Sequence, residues 1–176
     1  VKSGLIDRPD VSQYRLAVHL GMAFVILGAV LWCALSKLES PRQQAGVGLR
    51  RAATILPLAV LVTVLSGALV AGLNAGKIYN TFPLMLGEFF PSVGFQLSPW
   101  YLNFFEDIPT VQFDHRWLAV STFFLAVVTW RLARLAGGDL AKRGGVVLIA
   151  AAAQVLLGIA TLLHVVPIPL AAAHQA

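Results

Sequence analysis

Four blocks of this chain stay apolar for the roughly 20 residues that a helix needs to cross the hydrocarbon core of a bilayer. No water inside a bilayer can satisfy an open backbone, so such blocks form helices. The first runs over residues 14–35, with His19 its only ionisable residue past Arg15. The second covers 53–73 and carries Pro57 in its first turn, where a missing N–H costs little. The third covers 115–135 and the fourth 146–166. A fifth begins at Pro169, but the sequence stops after about two turns, too short to span. It reads as a span cut short. The expected fold is all-α and polytopic, embedded in a lipid bilayer.

Charge supplies the direction of the spans. Only 12% of residues are charged, against roughly a quarter in a soluble domain. The net charge of +5 does not indicate nucleic acid, because the basic residues sit at the ends of apolar blocks and form no soluble basic face. Lys37, Arg42, Arg50 and Arg51 lie between the first two blocks; Arg131, Arg134, Lys142 and Arg143 lie between the third and fourth. The long loop 74–114 has Lys77 alone against Glu88, Glu106, Asp107 and Asp114. The positive-inside rule therefore turns the basic loops to the cytoplasm or matrix and the acidic loop to the periplasm or intermembrane space. Trp32, Trp100, Tyr101, Trp117 and Trp130 suit the interfacial belts. The single cysteine, Cys33, excludes an internal disulfide or a CxxC site. Residues 1–13 are polar and form no signal peptide, so a segment upstream is expected to be missing.

With this direction, His19, His115, His164 and His174 all fall near the outer leaflet. Ionisable groups at membrane depth are costly and usually functional. Imidazole binds Fe, Cu and Zn and is a common axial ligand of haem. A haem between helices needs two histidines at equal depth and small residues beside the ring. His115 is followed on its helical face by Ala119, Thr122 and Ala126. The second block presents Thr63, Gly67, Val70 and Asn74 on one face, and the fourth Ala150, Gln154, Gly158 and Thr161. Arg116 can pair with a haem propionate through its bidentate fork, with Lys77 and Arg15 as further candidates. Plainer readings compete: a lone histidine at a helix end as an interfacial residue, small faces as helix-packing surfaces, Gln154 as a packing hydrogen bond, and Arg116 with Asp114 as a surface pair. His164, beside VVPIP at the end of its block, reads as a cap or a solvent-facing residue.

The phrases NAGKIYNTFPLM and VQFDHRW, at this spacing and on this topology, resemble the haem A synthase family of the alphaproteobacterial and mitochondrial type. SQYRLAVHLG resembles that family's fourth transmembrane segment, and LLGIATLLHVVPIPLAAAHQA its seventh and the start of its eighth. The resemblance implies two four-helix bundles in tandem. Residues 1–36 would be the last helix of the N-terminal bundle and 37–52 an inner-side linker. Residues 53–176 would be the C-terminal bundle, with outer loop 74–114 and its last helix cut short. It also implies that His115 and His174 hold a haem b, and that His19 belongs to the site where haem O is converted, its partner histidine lying in the absent part. His164 matches no ligand position. LAVHLG and LAAAHQA would be equivalent points of the two halves.

The implied activity is oxidation of a methyl group of haem O to the formyl group of haem A for cytochrome c oxidase assembly. This chain alone is expected to lack a complete active site. Haem O synthase and oxidase assembly factors are the implied partners, and a homo-oligomer is left open. The implied location is the bacterial cytoplasmic or mitochondrial inner membrane. The Phe-rich loop, with Phe82, Phe89, Phe90, Phe95, Phe104 and Phe105, is expected to lie along the surface and roof the porphyrin. Two rivals stand beside this reading: a bis-histidine cytochrome b subunit that only passes electrons, and a haem-free proton relay or transporter.

Overall fold

The structure, a computed structural model, describes residues 12–37 and 45–175. The polar opening 1–11 and residues 38–44 of the expected linker, Arg42 among them, lie outside the described residues.

Four long helices carry the apolar blocks: α1 (Gln13–Ser36), α2 (Val47–Gly72), α5 (Ile108–Ala136) and α6 (Gly138–Leu163). Short helices α3 (Ala75–Ile78) and α4 (Asn103–Glu106) lie in the outer loop, and α7 (Ile168–Gln175) closes the described chain. All four long helices are long and apolar enough to cross a membrane. The chain is an all-α polytopic membrane protein.

Packing runs in succession: α1 on α2, α2 on α5, α5 on α6, and α6 on α7. Lipid tails are as apolar as leucine, so contacts between helices must come from close packing and hydrogen bonds. Small residues accordingly occupy the seams. Ala52, Ala68, Ala126 and Ala133 are buried, Gly144 abuts Ala133 and the backbone of Trp130, and Gly72 abuts the backbone of Gln13. Thr63 and Thr122 join α2 to α5 through their hydroxyls at 2.8 Å. The large aliphatic and aromatic side chains of the outward faces, such as Ile55, Leu58, Phe124, Ile149 and Leu156, are exposed.

Three boundaries differ from the sequence expectation. The second helix begins at Val47, not at residue 53, so Pro57 lies in its interior and not in its first turn, and residues 47–52 of the expected linker are helical. The third span begins at Ile108, not at residue 115. Asp107 caps it, accepting from the Thr110 amide at 3.2 Å and from the Thr110 hydroxyl, and Pro109 occupies the first turn. The polar residues of VQFDHR made this first stretch look like loop, although they form the helix's outer two turns. At the inner end, α5 and α6 are separated by Gly137 alone. The positive φ at Gly137 and Gly138, 76° and 56°, supplies the reversal that a Cβ would strain. The basic residues Lys142 and Arg143 thus lie inside the first turns of α6, not in a separate loop.

The outer loop is ordered by its own hydrogen bonds. Met85 and Glu88 form an isolated antiparallel bridge about Leu86 and Gly87, both with positive φ. Asn103, fully buried, accepts from the Leu97 amide and donates to the carbonyls of Leu97 and Trp100. Asp107 also accepts from the Phe95 amide at 3.0 Å. Phe89 and Phe90 pack edge-on against Phe113 of α5, at 5.5 and 5.0 Å between ring centres. The loop therefore folds back onto the outer end of α5.

Candidate functional site

His115 lies two turns inside α5, and His174 lies two turns inside α7. The two imidazoles are within electrostatic reach of one another. Each ring rests on a glycine of the preceding long helix. A methyl group added at Gly67 of α2 would stand 3.0 Å from His115 Cε1, and one added at Gly158 of α6 would stand 2.9 Å from His174 Cε1. The two settings repeat. Each glycine lies five residues before the end of its helix, and each histidine six or seven residues after the start of the next one. The pairs α2–α5 and α6–α7 are therefore built alike at their outer ends.

The ring nitrogens are held differently. His115 Nδ1 lies 2.9 Å from Ser66 Oγ. Ser66 spends its one proton on the Thr63 carbonyl, at 2.8 Å. Its oxygen is thus placed to accept from the histidine, an arrangement that suits a proton on Nδ1. The Nε2 lone pair is left free for a ligand. His174 Nδ1 is buried without a hydrogen-bond partner, as is Thr161 Oγ1. Orphaned buried polar atoms are rare and call for an additional group.

Arg116 faces the loop. Its guanidinium donates to the carbonyls of Tyr79 at 2.8 Å, Pro83 at 3.3 Å and Leu84 at 3.5 Å. Gln112 donates to the same Tyr79 carbonyl at 2.8 Å. Arg116 Nε is buried and unpartnered, so its N–H is left over from those given to the three carbonyls. Burial first, and then the Asp107 and Glu88 carboxylates, push the Tyr79 phenol above its ordinary range, which keeps it neutral.

The remaining histidines stand apart. His19 is exposed on α1, on a shallow open groove of about 450 Å³ lined by Tyr14, Arg15, Val18 and Met22. Tyr14 is tied to the outer loop by a 2.6 Å hydrogen bond to Glu106. His164 caps α6, exposed, with Nδ1 2.8 Å from the Ala160 carbonyl of its own helix. Ser66 was invisible to the sequence reading, because it sits one position off the small-residue face of α2. A serine one residue before a glycine already opposite a histidine was the only available signal.

Among the described residues no three His, Cys, Asp or Glu side chains gather into a metal cage. Two imidazoles on small-residue beds suit a metal that brings most of its own ligands, as a porphyrin iron does.

Fold and site together define a polytopic α-helical membrane protein that carries two imidazoles on separate helices, each set against a glycine of a neighbouring helix. The chain belongs to the cytochrome oxidase assembly protein (COX15-CtaA) family, whose model matches residues 1–176. It is 50% identical over 182 residues to the heme A synthase of Nitrosospira multiformis, covering 100% of this chain and 51% of that protein. It is 50% identical over 177 residues to the heme A synthase of Parvibaculum lavamentivorans, covering 100% of this chain and 51% of the relative. The heme A synthase of Rhodospirillum centenum is 51% identical over 180 residues, covering 99% of this chain and 48% of the relative. The chain spans about half the length of these curated relatives. No solved structure matches it.

Proposed function

We propose that this chain is the C-terminal portion of a haem A synthase and that His115 and His174 hold a haem b as its two axial ligands. The observation that carries the reading is the repeated setting of the two imidazoles, each bedded on a glycine, one with Nδ1 hydrogen-bonded to Ser66 and one with Nδ1 buried without a hydrogen-bond partner. Residues 53–176 form the haem b bundle in this reading; 1–36 belong to a preceding bundle, joined by the inner-side linker 37–52. The exposed face of α1 with His19 then borders the haem O site, completed by residues outside this chain.

The bound haem supplies one-electron chemistry. The protein's part is to position and enclose it. His115 and His174 would hold the haem, which would supply electron transfer, with methyl oxidation of haem O left to the other bundle. Arg116 braces the outer loop over the histidine level, and its free Nε is the donor available to a propionate. The loop's aromatic cluster packs on Phe113, two residues before His115. The histidine level faces the periplasm of a bacterial cytoplasmic membrane, and haem O synthase and oxidase assembly factors are the partners.

The test is a pyridine haemochrome assay on the full-length protein, with product analysis for haem O turned into haem A. Haem b with haem A formation supports the reading. Haem b without product points to an electron-passing cytochrome b, and no Soret absorption points to a haem-free relay.

A further inference from the structure

We propose that Ser66 is a positioning residue for the haem ligand His115, setting its tautomer, its ring orientation and its donor strength. The inference rests on the haem b reading above and deepens it.

The geometry forms a directed chain. Thr63 Oγ1 lies 2.8 Å from the Ala59 carbonyl and 2.8 Å from Thr122 Oγ1. The Thr63 carbonyl accepts the Ser66 proton, and Ser66 Oγ accepts from His115 Nδ1. Every donor in this seam between α2 and α5 is committed, so the serine cannot rotate to donate to the imidazole without abandoning the Thr63 carbonyl. The hydrogen bond therefore favours the Nδ1–H tautomer, which keeps a proton off the Nε2 that would face the metal. It also fixes the ring about its Cβ–Cγ bond while Gly67 supports its Cε1 edge. A metal-bound histidine ordinarily donates its second N–H to an acceptor, and such partners raise ligand basicity. Here a neutral hydroxyl fills that role, itself polarised by a backbone carbonyl. Each ring also has a backbone carbonyl of the neighbouring helix within reach, Thr63 for His115 and Gln154 for His174; the Ser66 hydroxyl is what His115 has in addition.

The consequences are specific. Loss of the acceptor weakens His115 as a donor to ferric iron, so the reduction potential of the haem b rises. It also frees the ring to rotate, which changes the rhombicity of the ferric low-spin EPR signal. Ser66→Ala in the full-length, detergent-purified protein removes the acceptor, Ser66→Thr keeps it, and Ser66→Cys keeps the volume with only a weak acceptor. The expected order of potentials is Ala above Cys above Thr, with Thr close to the parent. Haem affinity is expected to fall about 10-fold or more in Ser66→Ala, the usual scale for losing such a partner. If Ser66→Ala does not accumulate, Ser66→Cys against Ser66→Thr carries the same comparison. A haem-loaded Ser66→Ala or Ser66→Cys with the potential and EPR signal of the parent overturns the role of Ser66 and leaves the haem b reading standing. A parent protein without haem b overturns that reading, and this inference with it.

Discussion

His115 and His174 differ from His19 and His164 in what surrounds the ring. The first two lie on glycines of neighbouring helices; His19 is on an open groove, and His164 bonds to its own helix. The expected outcome is that His115→Ala or His174→Ala abolishes the low-spin haem b spectrum of the full-length protein, while His164→Ala keeps it. A bleached His164→Ala protein would show the ligand assignment to be wrong. The place of each histidine near an end of its apolar helix was legible, because hydropathy marks roughly where such a block begins and ends. Which rings meet a small residue on another helix was legible only as a stripe of candidates, since Gly67 and Gly158 were named as members of faces and not as contacts. Ser66 was not legible. Its role arises from the register of α2 against α5, which one helix's periodicity does not contain. Arg116 read as a propionate partner; the structure adds the loop carbonyls it braces.

Helices and loops carry the next set of consequences. Protein interiors pack densely, and forcing a methyl into a filled space costs about 1–3 kcal/mol. Gly67→Ala and Gly158→Ala each place that methyl about 3 Å from an imidazole carbon. Both should lower thermal stability by that order and shift the Soret band as the rings tilt. Gly28→Ala, with nothing within 4 Å of the added methyl, should do neither. Equal behaviour of all three would show that the glycines are ordinary packing positions. In the outer loop, Arg116→Ala removes a charged donor from three carbonyls, at about 1–3 kcal/mol for groups left unpaired. Amide exchange over residues 79–86 should quicken several-fold, and haem should be lost more readily than from the parent yet less than from His115→Ala. Unchanged haem retention would remove the propionate role while leaving the brace intact. The start of α5 was misplaced in the sequence reading because hydropathy marks where lipid begins, whereas Asp107 and Pro109 mark where the helix begins. The two differ by about two turns, and His115 lies in that interval.

At the scale of the whole molecule, the direction expected for every span rests on the positions of a few cations. The all-α polytopic fold was legible because block length and charge asymmetry are one-dimensional quantities; the succession of packed helices was not, because lipid-facing and helix-facing residues are equally apolar here. The α5–α6 reversal, with Gly137, Arg134 and Lys142 around it, should face the cytoplasm. Ser92, exposed at the far end of the outer loop, should face the periplasm. Moving a lysine or arginine into low-dielectric lipid carries a cost of several kcal/mol on insertion scales, so with Arg131, Arg134, Lys142 and Arg143 on one side the inverted arrangement is strongly disfavoured. Single cysteines at these two sites, in a Cys33→Ser background of the full-length protein, give a direct reading. A membrane-impermeant maleimide added to intact cells should label Ser92→Cys and reach Lys142→Cys only after permeabilisation. The opposite pattern would place both histidines on the cytoplasmic side and would set the haem b against the wrong face for the proposed periplasmic site. Labelling of both sites in intact cells would mean that α5, the span between them, does not cross.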